Sequence, residues 1–198
     1  YYDAQEKLGI SLIPYRNKIH LACKTLKRTR IEAEQEFNLS LNKLHTDYFD
    51  VYQMHCLSHL EELDTAFGPG GVMELMKELK EKGIVKKLGI TCHSETVALK
   101  ALELYDFDTV LFPFNWHMNL KYGMGNKLIQ KAKEKGVGLL CMKSMIERAW
   151  NNEVDQESKK KYSKSWCKPF DTEKDKELLS AAIKYVFSLG VDTIVPPG

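Results

Sequence analysis

Two side chains with complementary chemistry end consecutive strand-like runs. Lys24 follows Ile19-His20-Leu21-Ala22-Cys23, and His55 follows Tyr48-Phe49-Asp50-Val51-Tyr52-Gln53-Met54. A lysine ammonium lowers the pKa of an acid beside it, and an imidazole donates or accepts a hydrogen bond near neutral pH. In a repeating strand–helix chain, titratable groups at the carboxyl ends of neighbouring strands share one mouth. Each residue alone reads as structural: a strand-end lysine as a surface charge, a lone histidine as a hydrogen-bonded one. Their joint placement carries the chemical expectation. His117, just after Asn115 and Trp116 at another strand end, is a further candidate for a substrate mouth. His20, His45 and His93 carry no functional expectation.

The elements that must hold these residues alternate. Short apolar runs at Ile19–Cys23, Tyr48–Met54, Lys87–Ile90, Thr109–Phe112, Gly138–Met142 and Thr193–Val195 read as strands. A helix-like stretch, Ile31 to Leu44, separates the first two. Apolar stripes predict further helices: Val72, Met73, Leu75, Met76 and Leu79, ending at Lys82-Gly83; Val97 to Leu102 with Ser94 as N-cap; Leu128, Ile129 and Ala132, ending at Gly136; and Leu178 to Phe187. The alternation predicts parallel pairing through right-handed crossovers. Six strands are visible, whereas a closed barrel needs eight. The pattern therefore fits an open sheet or a barrel missing pieces. No Gly-x-Gly-x-x-Gly turn follows a strand, which disfavours a dinucleotide-binding doubly wound sheet. Gly68-Pro69-Gly70-Gly71 reads as a turn leading into a helix. Residues 146–170 break the rhythm: they carry Trp150, Trp166 and Lys159-Lys160-Lys161 with no clear period, and are expected to form a long loop.

The 198 residues carry a net charge of +2, 43% hydrophobic and 28% charged residues. That composition is ordinary for a globular domain and argues for neither nucleic acid nor an anionic membrane as partner. No apolar run approaches membrane-spanning length. Five cysteines, odd in number and without a CxxC pair, suggest free thiols in a reducing compartment, hence a cytoplasmic protein. No metal site is expected, since His55 and His59 straddle a strand end and a loop. The chain opens on Tyr1-Tyr2 and stops at Val195-Pro196-Pro197-Gly198, so both ends are expected to be cut.

An ordered set of segments then resembles the aldo-keto reductases. Tyr1-Tyr2-Asp3-Ala4-Gln5-Glu6-Lys7-Leu8-Gly9 is similar to the family's Tyr-Gly-x-Ser-Glu-x-x-Leu-Gly segment. His20 to Thr25 resembles the strand ending in the catalytic lysine. Leu39 to Leu44, followed by Asp47 to His55, resembles the helix-to-strand signature that ends in the active-site histidine. Gly83 to Thr91 resembles "G-x-I-R-x-I-G-V-S-N". Phe114-Asn115 stands where the family has Tyr-Asn, and Gly138 to Met145 resembles the strand that contacts the nicotinamide.

The resemblance implies an α/β fold: a (β/α)8 TIM barrel forming a single, partial domain over residues 1–198, with the first two strands and the C-terminal helices outside the chain. It implies an oxidoreductase using NADPH to reduce an aldehyde or ketone. Tyr1 would be the general acid, Lys24 would lower its pKa, and His55 would orient the carbonyl. Thr91, Cys92, Met142, Lys143 and Ser144 would bind the cofactor, and Trp116 with His117 the substrate. The family's aspartate partner of the lysine would precede Tyr1, and its phosphate site would begin at Pro197-Gly198. Cys92 replaces an asparagine and Met142 an aromatic residue; with the aspartate missing, these departures give weight to a second reading, a non-catalytic barrel of the same ancestry acting as a binding or regulatory subunit. A third, which the tyrosine and histidine pattern ranks last, is an aldolase using Lys24 as a Schiff base.

Overall fold

The computed structural model describes residues 3–195. The expectations placed on Tyr1 and on Pro197-Gly198 lie outside the described residues. The chain divides into two compact units, Tyr1–Val110 and Leu111–Gly198.

The first unit begins with α1 (Ala4–Leu12) and a 3-10 turn, Ile13–Lys18. There follow β1 (Ala22–Thr25), α2 (Arg30–Lys43), β2 (Phe49–Leu57), α3 (Glu61–Phe67), α4 (Val72–Glu81), β3 (Val85–Cys92) and α5 (Glu95–Leu104). The strand β4 (Thr109–Phe112) carries the chain across the boundary. β1 pairs parallel to β2, and β2 parallel to β3. The helices start and stop where local chemistry dictates. Ser94 caps α5 by accepting the Val97 amide, and α4 buries its stripe Val72, Met73, Leu75, Met76 and Leu79. Gly83, at φ +71°, turns the chain out of α4.

Phe37 of α2 packs edge-on against Tyr52 of β2, with ring centroids 4.9 Å apart, and against Phe49 at 5.5 Å. Such contacts dock the helix on the sheet. Gly89 of β3 is required by close approach: a Cβ there would fall 2.2 Å from Thr109 Oγ1. At the amino end of β2, the buried Asp50 carboxylate meets Arg16 at 3.0 Å and Lys86 at 2.8 Å, and accepts the Leu21 amide at 2.9 Å.

Asp50 also explains a shift in the first strand. The run expected at Ile19–Cys23 forms β1 at Ala22–Thr25, so Lys24 lies within the strand rather than after it. Leu21 is withdrawn from the regular ladder: its amide goes to the Asp50 side chain and its carbonyl accepts the Asp50 amide. β2 likewise runs past His55 to Leu57, because Leu57 regains a partner, Cys92, beyond a register shift.

The second unit contains α6 (Trp116–Tyr122), α7 (Asn126–Lys135), β5 (Gly138–Met142), β6 (Ile146–Arg148), α8 (Gln156–Lys161), β7 (Lys168–Pro169), α9 (Lys176–Ser188) and β8 (Thr193–Val195). β5 pairs parallel to β8, with Met142 opposite Val195. The expectation of a long loop at 146–170 needs correcting. β6 and β7 pair antiparallel, and the excursion between them holds α8 and a two-pronged ion pair from Arg148 to Asp155 at 2.6 and 2.8 Å. Side-chain pairing does there what apolar periodicity does elsewhere. Trp150 donates to the Ser165 carbonyl at 2.9 Å, whereas Trp166 is 81% exposed.

Candidate functional site

Strand register places the candidate residues of the first unit. Lys24 of β1 stands opposite Gln53 of β2, and Gln53 opposite Gly89 of β3. Side chains two residues apart share a face of a strand. His55 therefore lies on the Lys24–Gln53 face, and Thr91 on the Gly89 face beside it.

His55 Nδ1 is 2.9 Å from Thr91 Oγ1, which also accepts the Cys56 amide at 2.7 Å. The His55 carbonyl accepts from Arg28 Nη2 at 2.7 Å. Arg28 is anchored in turn by Glu62 at 2.7 Å, and the other oxygen of that carboxylate accepts the amides of Ser58 and His59. The peptide after His55 is thus held from both sides, and Cys56 sits at φ +57°, where residues other than glycine rarely stand. Burial, reinforced by the charges of Lys24, His93 and Arg28, pulls the His55 pKa down to about 4. The imidazole is therefore neutral at pH 7. Nδ1 is committed to Thr91, and Nε2 has no hydrogen-bond partner among the described residues.

Lys24 reaches solvent, yet the protein around it still lowers its pKa by desolvation, partly offset by Cys23. No carboxylate lies within ion-pair distance of Lys24 among the described residues. Cys92 is fully buried. Its thiol contacts the Leu57 carbonyl at 2.9 Å and the Ser94 carbonyl at 3.0 Å, and burial raises its pKa to about 11.

The second unit gathers a different set at the end of β5. Met142 and Lys143 are half-buried, and Lys143 adopts φ +61°. Among the described residues no carboxylate pairs with Lys143. The Ser144 hydroxyl is fully buried and has no hydrogen-bond partner of ordinary geometry. Lys143, a cation without a carboxylate partner, suits an anionic group, whereas the Ser144 hydroxyl is sealed from solvent beside the Cys141 thiol. Asn115 caps α6 by accepting the Met118 amide at 3.0 Å. That cap sets Trp116, whose indole donates to the Ile146 carbonyl at 3.0 Å. Trp116 lines a cavity of about 560 Å³, and His117 stands edge-on to its ring at 5.4 Å without lining that cavity.

Each unit thus assembles its own group: Lys24, His55 and Thr91 in the first, Met142, Lys143 and Ser144 in the second. Sequence reasoning missed Arg28 and Glu62. Arg28 sits in the run Lys27-Arg28-Thr29-Arg30, which looks like a solvated charge cluster. Among the described residues, no group of three or more His, Cys, Asp or Glu side chains is placed to hold a metal ion. No helix among them is long and apolar enough to cross a membrane.

A model of the Aldo/keto reductase family matches residues 2–196. Comparison with curated proteins gives no match. Among solved structures, the chain is similar to the holo form of the aldo-keto reductase AKR11C1 from Bacillus halodurans. The TM-score is 0.70 at 18% identity, over 98% of this chain and 67% of that one. It is also similar to the thermostable aldo-keto reductase Tm1743 in complex with the inhibitor epalrestat, with TM-score 0.66 and 16% identity over 98% and 66%. A third is an aldo/keto reductase from Klebsiella pneumoniae in complex with NADP and acetate, with TM-score 0.56 and 17% identity over 70% and 47%. At these identities the likeness carries the fold, and the chain spans about two thirds of the length of the first two structures.

Proposed function

The chain belongs to the aldo/keto reductase family, an α/β fold of the barrel type, and from that premise we propose that it reduces an aldehyde or ketone to an alcohol with NADPH. On this reading residues 1–198 belong to one barrel domain. The observation that carries the proposal is the register-driven meeting of Lys24, a neutral His55 and Thr91 on one sheet face.

Reduced nicotinamide, when bound, supplies the hydride that the carbonyl carbon accepts. The chain supplies the rest. Tyr1 gives the proton that the carbonyl oxygen needs, its phenol made more acidic by the Lys24 ammonium. His55 donates from Nε2–H to the same oxygen and fixes its position. That tautomer requires Nδ1 to accept, and the Thr91 hydroxyl is placed to donate to it while receiving the Cys56 amide. Thr91 keeps one lone pair for a carboxamide. Lys143 takes an anionic part of the cofactor with the buried Ser144 behind it, Met142 covers a ring face, and Trp116 and His117 bound the substrate. Cys92, its thiol turned into the protein, adds little to that grip.

The first test is direct. Purified protein supplied with NADPH and a panel of aldehydes is expected to consume the reduced cofactor saturably, and to bind it by calorimetry without substrate. Absence of both binding and turnover at millimolar concentrations overturns the proposal. A second reading, a non-catalytic barrel, is favoured by the inward Cys92 thiol and by Lys24 having no carboxylate partner among the described residues. Tight cofactor binding with no turnover on any carbonyl would establish it.

Thr91 offers a finer check. Thr91→Val leaves the His55 ring and the Cys56 amide without their shared partner, and kcat is expected to fall about 10- to 100-fold. Thr91→Ser should restore most of it. The ring nitrogens of His55, read by NMR, should lose their single-tautomer signature in the valine variant. Unchanged kcat and tautomer would show that Thr91 does not orient the ring.

A further inference from the structure

The cavity beside Trp116 lies wholly within the second unit, and apart from Trp116 the reductase reading gives its walls no role. Its volume of about 560 Å³ falls in the range of roughly 300–1,000 Å³ typical of small-molecule sites. Three aromatic rings line it, Trp116, Phe170 and Tyr185. Trp116 and Phe170 stack, with centroids 6.3 Å apart. Their polar handles are already used: the Trp116 indole donates to the Ile146 carbonyl, and the Tyr185 hydroxyl to Asn119 Oδ1. With those handles committed, what the three rings add to the cavity wall is carbon surface.

Leu120, Leu178, Ala181 and Ala182 extend the apolar wall, and three charged residues complete it; these three are not equivalent. Lys168 Nζ lies 2.7 Å from Glu147 and 3.8 Å from Asp155, so its charge is balanced within the wall. Glu147 is shared further with Arg148 at 3.4 Å. Asp175 differs. One of its oxygens accepts the Asp171 amide at 3.0 Å, and no cationic side chain lies within ion-pair distance of it among the described residues. The wall thus offers an apolar, aromatic-rich lining and a carboxylate with no cationic side chain beside it among the described residues. An anionic ligand would meet Asp175 as a like charge. A neutral ligand would desolvate that carboxylate without compensation. A cation with an apolar body answers both features, as cation–π recognition of alkylated ammonium groups does.

We propose that this cavity binds an organic ammonium ion, an alkylated or quaternary amine on an apolar body, against the wall formed by Trp116, Phe170 and Tyr185 with Asp175 as its counter-charge. The cavity wall includes none of the residues proposed to hold the cofactor, so its occupancy can be read without NADPH.

The test is calorimetric or NMR titration of the purified protein, without NADPH, using three probes of one shape class. These are benzyltrimethylammonium, its uncharged isostere neopentylbenzene, and phenylacetate. The ammonium is expected to saturate at millimolar concentration or below and to bind at least about tenfold tighter than the neutral isostere. Phenylacetate should bind most weakly. Asp175→Asn can still accept the Asp171 amide, and it should bring the ammonium and the isostere to within about threefold of each other. Phe170→Leu should weaken the ammonium more than the isostere. Equal binding of cation and isostere by the unaltered protein overturns the proposal, as does an Asp175→Asn variant with undiminished preference. Absence of saturation by benzyltrimethylammonium overturns it too. The wild-type comparison decides the matter even if a variant fails to fold.

Discussion

Lys24→Met and His55→Ala are each expected to lower the rate of carbonyl reduction by about 10²- to 10⁴-fold, the usual scale for losing a positioned proton-transfer partner. The two changes act differently on one oxygen. Methionine keeps the length of Lys24 and removes the charge proposed to acidify the Tyr1 phenol. Alanine at position 55 removes the hydrogen bond from Nε2 and leaves the Thr91 hydroxyl facing a void. Because both residues serve one proton-transfer event, the double variant should be little worse than the more damaged single one. Cofactor affinity should change by less than about fivefold in either, since neither is proposed to hold NADPH. The measurement is kcat of the folded variants on whichever carbonyl the parent reduces. Turnover within about threefold of the parent in either variant would remove that residue from the mechanism.

The pH profile gives an independent reading of the same site. With its pKa near 4, His55 stays neutral through the working range. No acid limb near 6.5 should appear in kcat on its account. The same shift has a stability consequence. A histidine whose folded pKa lies below its unfolded value of 6.5 binds fewer protons when folded. Stability present above pH 6.5 is therefore lost as pH falls from there toward about 4.

The largest stability effect is expected at the opposite end of β2. Asp50→Asn should destabilise the protein by about 3–5 kcal/mol at pH 7, because it leaves Arg16 nearly buried and without its carboxylate. Burial alone would raise the Asp50 pKa. Lys86, the Leu21 amide and Arg16 outweigh it and hold the pKa at about 2, against an ordinary 3.8. A carboxylate depressed in this way stabilises the fold above pH 3.8, and that stabilisation is lost as pH falls through about 2. The difference is worth roughly 2–3 kcal/mol between the two limits. Urea unfolding at pH 7 checks the first number, and unfolding at pH 3, where about 1 kcal/mol of the second should already be lost, checks the sign and slope of the second. The parent should lose stability toward acid more steeply than the asparagine variant. Parallel acid limbs would show that Asp50 is not the titrating group.

Much of the architecture was legible before any coordinates. The strands at Thr109–Phe112, Gly138–Met142 and Thr193–Val195 fall where their apolar runs stand, and Ser94 caps the helix it precedes. These are local signals: β-branched runs, a hydroxyl before a stripe, a glycine after one. Position 24 was legible as chemistry but misplaced by a residue or two in its strand. The competing hydrogen bonds from Asp50 to Leu21 come from a residue some thirty positions away. Residues 146–170 failed for a related reason. Their order rests on the short antiparallel pairing of β6 with β7 and on the Arg148–Asp155 pair, neither of which leaves an apolar period to find.

By itself, then, the order of residue types determined the alternation of strand and helix, the family, and the pairing of Lys24 with His55 as candidates, because each of these is written in local pattern and spacing. Only the tertiary structure decided what surrounds them. It set Thr91 against the imidazole, clamped the next peptide through Arg28 and Glu62, turned the Cys92 thiol inward, and left Asp175 in an aromatic-rich wall with no cationic side chain beside it among the described residues. Those outcomes depend on register between strands and on which charges find partners. Both are long-range choices, settled by packing rather than by neighbours in the chain.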